Sequence, residues 1–467
     1  MDLNNIKRNQ LDYILTDMLP TELSERFTFF YFYEFLMTKR KELKQMNNFL
    51  ISVKNKYKTG IMFEGGGSGH GGHKGNNWVT MPLKYSIMKE LHTEREISLL
   101  QPIAAVELFA FVSTYQKELI NLLDMNSIFS LRHHHKNNEL CYKNKNKSIT
   151  KYFAVESAQI DKDLIEKTGM FFDIKPYKSI ASFTSSEEWL VLNSKYRYFI
   201  RTDYKACFDS IYTHTFKWLI GKDVNDTKDF KNTNIYTTID RILQNIKDRT
   251  SNGIVVGPEF SRMIAEILLQ AIDRTVYSKL LNSGKTVGEN YNVYRFVDDI
   301  FIFAESEELA NEIVQIYSEI SAKYLLRLNE GKLYKNTVPF VLDEWINETS
   351  IFANRTSACL FRTKEEQEIW LQKEKQNSPE KEVVPHILKS RALYYSKRSI
   401  MNQLNEIICE YPSKDRTIVA YFLGTILNKV SRNKENVKIF SEHVTEQTVA
   451  NFMDLIFYAY SFFPNYN

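Results

Sequence analysis

Apolar residues recur at helical spacing near the start of the chain, where Phe27, Phe30, Tyr31 and Phe35 share a face ahead of the charged run Lys39 to Lys44. That pattern predicts a helical opening segment over residues 1–60. Residues 97–112, ISLLQPIAAVELFAFV, begin with the even apolar content of an extended stretch and turn helical after Pro102, a residue suited to a first helical position. From about 196 to 340 short apolar strands alternate with helices, and carboxylates stand where strands end. Beyond about 341 the pattern is almost purely helical, with a charge-laced stretch at 362–376, amphipathic stretches at 385–411 and 415–431, and an aromatic-rich face at 445–462. Ser413 and Asp415 offer caps before Val419, Phe422 and Leu423.

A chain of 467 residues is too long for one core and suits two or three domains. With 43% hydrophobic and 25% charged residues it has the composition of a folded globular protein. A net charge of +4 permits a polyanionic partner without requiring one. No apolar run is long enough for a membrane span, and the N-terminus lacks the apolar stretch of a secretory signal, so no membrane association and a cytoplasmic location are expected. Cys141, Cys207, Cys359 and Cys409 lack CxxC spacing, and free buried thiols are the expectation.

Two segments invite a ligand and earn little. Between Gly65 and Gly75 lie seven of the sixteen glycines, which reads as a mobile loop or linker; no GK[ST] follows to make a phosphate cradle. Residues 133–151, HHHKNNELCYKNKNKSITK, read as a lysine-rich loop that is either solvated or in touch with phosphates. Its three histidines near Cys141 lack the ligand spacing of a structural zinc site.

The chemistry sits in two carboxylate-bearing strands. In NVYRFVDDIFIF (292–303), Asp298 and Asp299 interrupt good strand sequence and are placed at a tight hairpin tip. Isolated charges there would cost several kcal/mol, so they must be solvated or bind a cation. In YFIRTDYKACFDSI (198–211) a strand ends at Asp203, which either caps the following helix or joins the pair; Asp209 takes a more structural role. Together Asp203, Asp298 and Asp299 make a set of hard oxygen ligands suited to magnesium, and two ions about 4 Å apart would serve an in-line phosphoryl displacement. A sugar hydrolase using the same carboxylates is the poorer account, because that chemistry gives no reason for two of them to be adjacent.

Asp203 with Phe208, SNGIVVGPEFSRMIAEILL (251–269), RFVDD (295–299) and LRLNEGK (326–332) resemble motifs A to D of reverse transcriptases, in order. FDSIYTH (208–214), VGPEFSR (256–262) and the helical C-terminal region are similar to the bacterial defence-associated and abortive-infection members. The resemblance implies an α+β right-hand polymerase, with fingers over 61–195, a palm with an antiparallel sheet over 196–340, and an all-α, thumb-like or helical-repeat region over 341–467. It gives Asp203 and Asp298 the metal-bridging role and makes Asp299 the adjacent ligand. Phe208 falls where an aromatic ring lies under the incoming sugar and excludes a 2′-hydroxyl, which selects deoxynucleotides. Gly253 and Gly257 would allow close backbone approach, Ser261 and Arg262 would face the nascent pair, Lys332 would meet the leaving pyrophosphate, and Arg95 would grip the triphosphate. The family commonly has Pro-Gln where Val255 and Val256 stand, which removes a polar contact near the template strand.

The implied activity is RNA-directed DNA synthesis from dNTPs with two Mg²⁺ ions, serving antiphage defence. Template or non-coding RNA, the DNA product, and a second copy of the chain or a companion defence protein are the implied partners. Untemplated synthesis, with or without priming from one of the 27 tyrosines, and a catalytically silent nucleic-acid-binding scaffold are the alternatives.

Overall fold

The computed structural model describes residues 10–20, 29–38, 79–91, 93–124, 128–136, 171–220, 234–340, 342, 344–377, 383, 385–389, 392–432 and 444–463. In chain order, shorter helical turns aside, these form α1 (Phe30–Thr38), β1 (Leu83–Glu90), β2 (Thr93–Leu99), α2 (Pro102–Asp124), β3 (Arg132–Lys136), β4 (Phe172–Pro176), α3 (Glu187–Lys195), β5 (Tyr198–Thr202), α4 (Cys207–Ser210), α5 (Ile235–Asn245), α6 (Glu259–Asn282), β6 (Tyr291–Phe296), β7 (Asp299–Ala304), α7 (Glu307–Lys323), β8 (Tyr334–Thr337), α8 (Glu344–Leu360), α9 (Lys364–Asn377), α10 (Ala392–Glu410), α11 (Asp415–Arg432) and α12 (Glu446–Ser461). The chain is α+β, with antiparallel sheets and a helical C-terminal region. It separates into two compact units, residues 1–85 with 97–340, and residues 86–96 with 341–467.

The first unit is organised on a four-stranded sheet of order β6-β7-β5-β8, antiparallel throughout. β7 reads DIFIFA, and its alternation explains both faces. Ile300 and Ile302 enter one core with Ile264 and Leu268 of α6 and Ile313 and Tyr317 of α7. Phe301 and Phe303 point the other way and meet Trp189 of α3, with ring centroids 6.2 and 5.3 Å apart. Phe199 of β5 packs 4.9 Å from Phe303 and stacks 4.3 Å from Phe340. A strand covered on both faces needs no polar positions, so its sequence is continuously apolar until the carboxylates begin. Side-chain caps start the covering helices, with Ser186 accepting from the Trp189 amide and Ser306 from the Leu309 amide, each at 3.2 Å.

Pro102 opens α2 as its sequence predicts. His133 to Lys136, expected in a loop, instead belong to β3, which pairs antiparallel with β4. The reason is register: alternation buries His134 completely, opposite Ile174, in a two-stranded sheet that a lone segment does not reveal. Cys141, the rest of that lysine-rich stretch and the Gly65–Gly75 segment lie outside the described residues.

In the second unit α8, α10, α11 and α12 enclose an apolar core that includes Phe352, Leu404, Ile418, Phe422 and Leu455. Phe352 and Phe422 stack at 5.2 Å. The helix expected over 385–411 begins only at Ala392, because residues around Leu388 are extended and bridge to Phe361; the Arg362 amide donates to the Ile387 carbonyl at 2.8 Å. Asp415 starts α11 and also accepts a 2.7 Å hydrogen bond from the Leu91 amide. Among the described residues no helix is long and apolar enough to cross a membrane. Cys207 is a buried thiol as expected, whereas Cys409 is exposed on α10.

Candidate active site

β6 and β7 are joined by a two-residue turn, Val297 and Asp298, since Phe296 pairs with Asp299. Asp298 thus occupies the tip, and Asp299 is the first residue of the return strand rather than a second tip residue. Val297 has φ of +56°, a left-handed conformation that a β-branched residue adopts at a cost of about 1–2 kcal/mol. The central pairing of β7 with β5 ends at Thr202 opposite Ile300, so the chain leaves β5 at Asp203 beside this turn.

Asp203 does not cap the helix that follows it, since the N-cap of α4 is Ala206 and carries no side-chain cap. Its carbonyl accepts from the Asn329 amide at 2.8 Å, and the Lys205 amide reaches the Arg327 carbonyl at 2.9 Å. These bonds lay residues 327–329 along the end of β5 and carry Lys332 to the carboxylate, where Lys332 Nζ donates to Asp203 Oδ2 at 2.8 Å. The bond to Asp203 raises the lysine pKa against the opposing effect of burial, and the charges of all three aspartates add to it. The other carboxylate oxygen, Asp203 Oδ1, is buried with no hydrogen-bond partner.

Burial pushes the Asp298 carboxyl up to about 6, and the negative charges of Asp299 and Asp203 push in the same direction. Asp299 is held by Arg201, whose Nε and Nη2 donate to Oδ1 at 3.2 and 2.9 Å. Arg201 follows from strand geometry: it pairs with Phe301 across the ladder, so a residue two positions away shares its face. A lone cation in an apolar strand, two residues before Asp203, is the sequence signal for it.

Motif-like segments meet through the backbone. The Ile254 amide donates to the Phe208 carbonyl at 2.8 Å and the Gly253 amide to the Ile211 carbonyl at 2.9 Å. Phe208 is half-buried and packs against the core. At Gly257, φ is +125° and a Cβ would lie 2.7 Å from Pro20 Cγ and 2.9 Å from Ile97 Cγ2, so the close approach it permits is to the protein itself. Ser261 is fully buried in the first turn of α6 with its hydroxyl unpartnered. Arg262 pairs with Glu259 at 3.1 Å. Val255 is buried, and the Val256 carbonyl accepts from the Ser98 amide at 2.8 Å. Arg95 lies on β2 in the portion that groups with the second unit.

Among the described residues no three His, Cys, Asp or Glu side chains are gathered into a ready metal cage. What fits a cation is narrower: an unpartnered buried oxygen on Asp203 and a neighbouring Asp298 that resists ionising beside other carboxylates. A hard divalent ion relieves both conditions.

Residues 132–351 match the reverse transcriptase (RNA-dependent DNA polymerase) family. That match spans a little under half of the chain and is to a reverse-transcriptase domain. That domain contains Asp203, Asp298, Asp299 and Lys332, together with the Phe208 and 253–262 segments. No curated protein matches the chain. Among solved structures, apo telomerase from Candida tropicalis is similar at 12% identity, with 90% of this chain and 68% of that one covered and a TM-score of 0.38. Telomerase from Candida albicans in complex with a TWJ fragment of telomeric RNA is similar at 12% identity, with 62% and 52% covered and a TM-score of 0.27. The chain thus matches about half the length of the Candida albicans protein.

Proposed function

We propose that the chain is an RNA-directed DNA polymerase that extends a 3′-hydroxyl with deoxynucleotides, and that Asp203 and Asp298 are its principal Mg²⁺ ligands. The observation that carries this reading is the meeting of the unpartnered Asp203 oxygen with the repelled Asp298 carboxyl at adjacent strand ends of a reverse-transcriptase domain. When bound, two Mg²⁺ ions would lower the pKa of the primer hydroxyl and neutralise the departing pyrophosphate. Asp299, restrained by Arg201, serves as the adjacent carboxylate and sets the negative field that keeps Asp298 selective for a cation. Lys332, with 61% of its side chain exposed, has the reach to trade Asp203 for the charge of the leaving group. Phe208 is assigned to the sugar of the incoming nucleotide, Arg262 to the nascent pair, Arg95 to the triphosphate, and Gly257 and Ser261 to the shape of the pocket wall behind it. The fingers, palm and helical regions over 61–195, 196–340 and 341–467 complete this assignment, after the N-terminal helical segment 1–60.

The finer setting is antiphage defence in a bacterial cytoplasm, supported by the resemblance of FDSIYTH (208–214) and VGPEFSR (256–262) to abortive-infection members. RNA as template or bound non-coding strand, the DNA product, and a second copy of the chain or a companion protein are the partners that go with it. Replacement of Pro-Gln by Val255 and Val256 favours synthesis that leans less on a template, and priming from a tyrosine is a separate alternative.

The test is incorporation of each labelled dNTP in Mg²⁺, with and without an RNA template, by the wild type and by the Asp298→Ala/Asp299→Ala variant. Synthesis by the wild type alone is expected, and the response to template separates copying from untemplated addition. Equal activity in the variant, or none in either protein even with co-purified RNA, would sink the assignment and leave the scaffold reading.

A further inference from the structure

One buried cation stands two residues from the turn that presents Asp298. Arg295 is fully buried, and its backbone is fixed on both sides: its amide donates to the Phe129 carbonyl at 2.6 Å, and its carbonyl accepts from the Leu131 amide at 2.8 Å. Its guanidinium is held on two carboxylates of α6. Nε donates to Asp273 Oδ2 at 2.8 Å, while Nη1 and Nη2 donate to the two oxygens of Glu266 at 2.9 Å each. The carboxylates are themselves fixed, Asp273 by the Tyr317 hydroxyl at 3.0 Å and Glu266 by the Ser130 hydroxyl at 2.9 Å. One contact has no role in this charge balance. Nη1 also donates to the Val297 carbonyl at 2.8 Å, the peptide that leads directly into Asp298.

That carbonyl belongs to the residue held at φ of +56°. A valine relaxes out of this region unless its surroundings hold it there, and a relaxed turn would rotate the next peptide and swing Asp298 away from Asp203. We propose that Arg295 is a positioning residue: it carries the rigidity of α6 to the hairpin tip by clamping the Val297 carbonyl, and so fixes where the Asp298 carboxylate stands. The proposal rests on the reading of Asp298 as a metal ligand. An arginine suits the task because its planar fork satisfies two carboxylates and still has a donor for the peptide, which a lysine ammonium on a single-point stem does not reproduce.

Removing Arg295 alone leaves two buried carboxylates unpaired and risks a failure to fold. The test therefore uses the full chain with the compensated triple variant Arg295→Met/Glu266→Gln/Asp273→Asn, beside the wild type, Asp298→Ala, and the triple variant with Val297→Gly added. Mn²⁺ affinity is read by electron paramagnetic resonance without substrate, kcat and KM by dNTP incorporation, and folding by thermal melting. The triple variant is expected to melt cooperatively, to bind Mn²⁺ about tenfold more weakly, and to lose about tenfold or more in kcat with KM for the nucleotide within about threefold. Glycine at 297 adopts the left-handed turn without strain and is expected to recover part of both losses. Wild-type Mn²⁺ affinity and kcat in the triple variant would overturn the clamp, since a purely structural role predicts that pattern with only the melting point moved. Failure of Val297→Gly to recover either quantity would also count against it. If Asp298→Ala binds Mn²⁺ as tightly as the wild type, the metal-site reading itself has failed and the clamp falls with it.

Discussion

The two units of this chain bury different things. In the unit built on the β6-β7-β5-β8 sheet, the interior holds ions: Arg295, Glu266 and Asp273 have no exposed side-chain surface, and Arg132 with Glu259 is nearly as buried. In the helical unit the core cluster is apolar, and the ion pairs described there, Lys389 with Glu366 and Lys397 with Asp454, are partly open to solvent. A buried ion network is a poor source of stability compared with packed hydrocarbon, because desolvation offsets its attraction. Its presence beside the carboxylates teaches that the first unit fixes paired charges in its interior, where the described core cluster of the second is built by apolar packing.

The sharpest way to break this contrast is through activity. Asp298→Ala is expected to lower dNTP incorporation at least a thousandfold, about 4 kcal/mol of transition-state stabilisation, while the protein still melts cooperatively. A variant with more than a tenth of wild-type activity would remove Asp298 from the site. The next largest effect is on folding. Arg295→Met alone should destabilise the sheet unit by about 3–5 kcal/mol, because it strands two buried carboxylates; calorimetry that shows no loss would mean the network is not buried in solution. In the helical unit Leu404→Ala is expected to cost about 3 kcal/mol by leaving a cavity in a core that excludes Leu404 wholly from solvent.

A smaller effect has a defined pH window. Asp298 holds its proton up to about 6 in the fold, above its unfolded value near 4, so without metal its contribution to stability is fully present below about pH 4 and is lost as pH rises through 6. Asp298→Asn should therefore stabilise the metal-free protein at pH 7.5 by an amount on the order of 2 kcal/mol, read as a higher melting point, and change it little at pH 4. Added Mg²⁺ should stabilise the wild type and leave the variant unmoved; equal responses would argue that the ion binds elsewhere. Last, Lys397→Ala/Asp454→Ala in the helical unit is expected to shift melting by no more than a degree or two, as exposed pairs do.

Much of this was legible in the residues. The β-branched and aromatic runs on either side of Asp298 and Asp299 announced a hairpin, and Pro102 marked a helix start that the fold respects. Other features were not. Strand β3 escaped because its partner β4 lies nearly forty residues away and three histidines carry no alternation of their own. Residues 385–389 fall in a stretch whose amphipathic pattern predicts a helix, and in the fold Leu388 bridges to Phe361 instead. Arg201 stands out locally as a lone cation in an apolar strand, but the strand register is needed to show that it grips Asp299, and the burial of Arg295 is needed to bring it to the Val297 carbonyl.

The sequence by itself determined most of the element order and singled out the carboxylates proposed to hold the metal, since both depend on residue type and short-range periodicity. The tertiary structure alone decided which oxygen of Asp203 is left open, which lysine stands on the other, and which buried arginine steadies Asp298. Those choices depend on groups as far as 129 positions apart, brought together by strand register and helix packing, and no local pattern encodes a contact of that range.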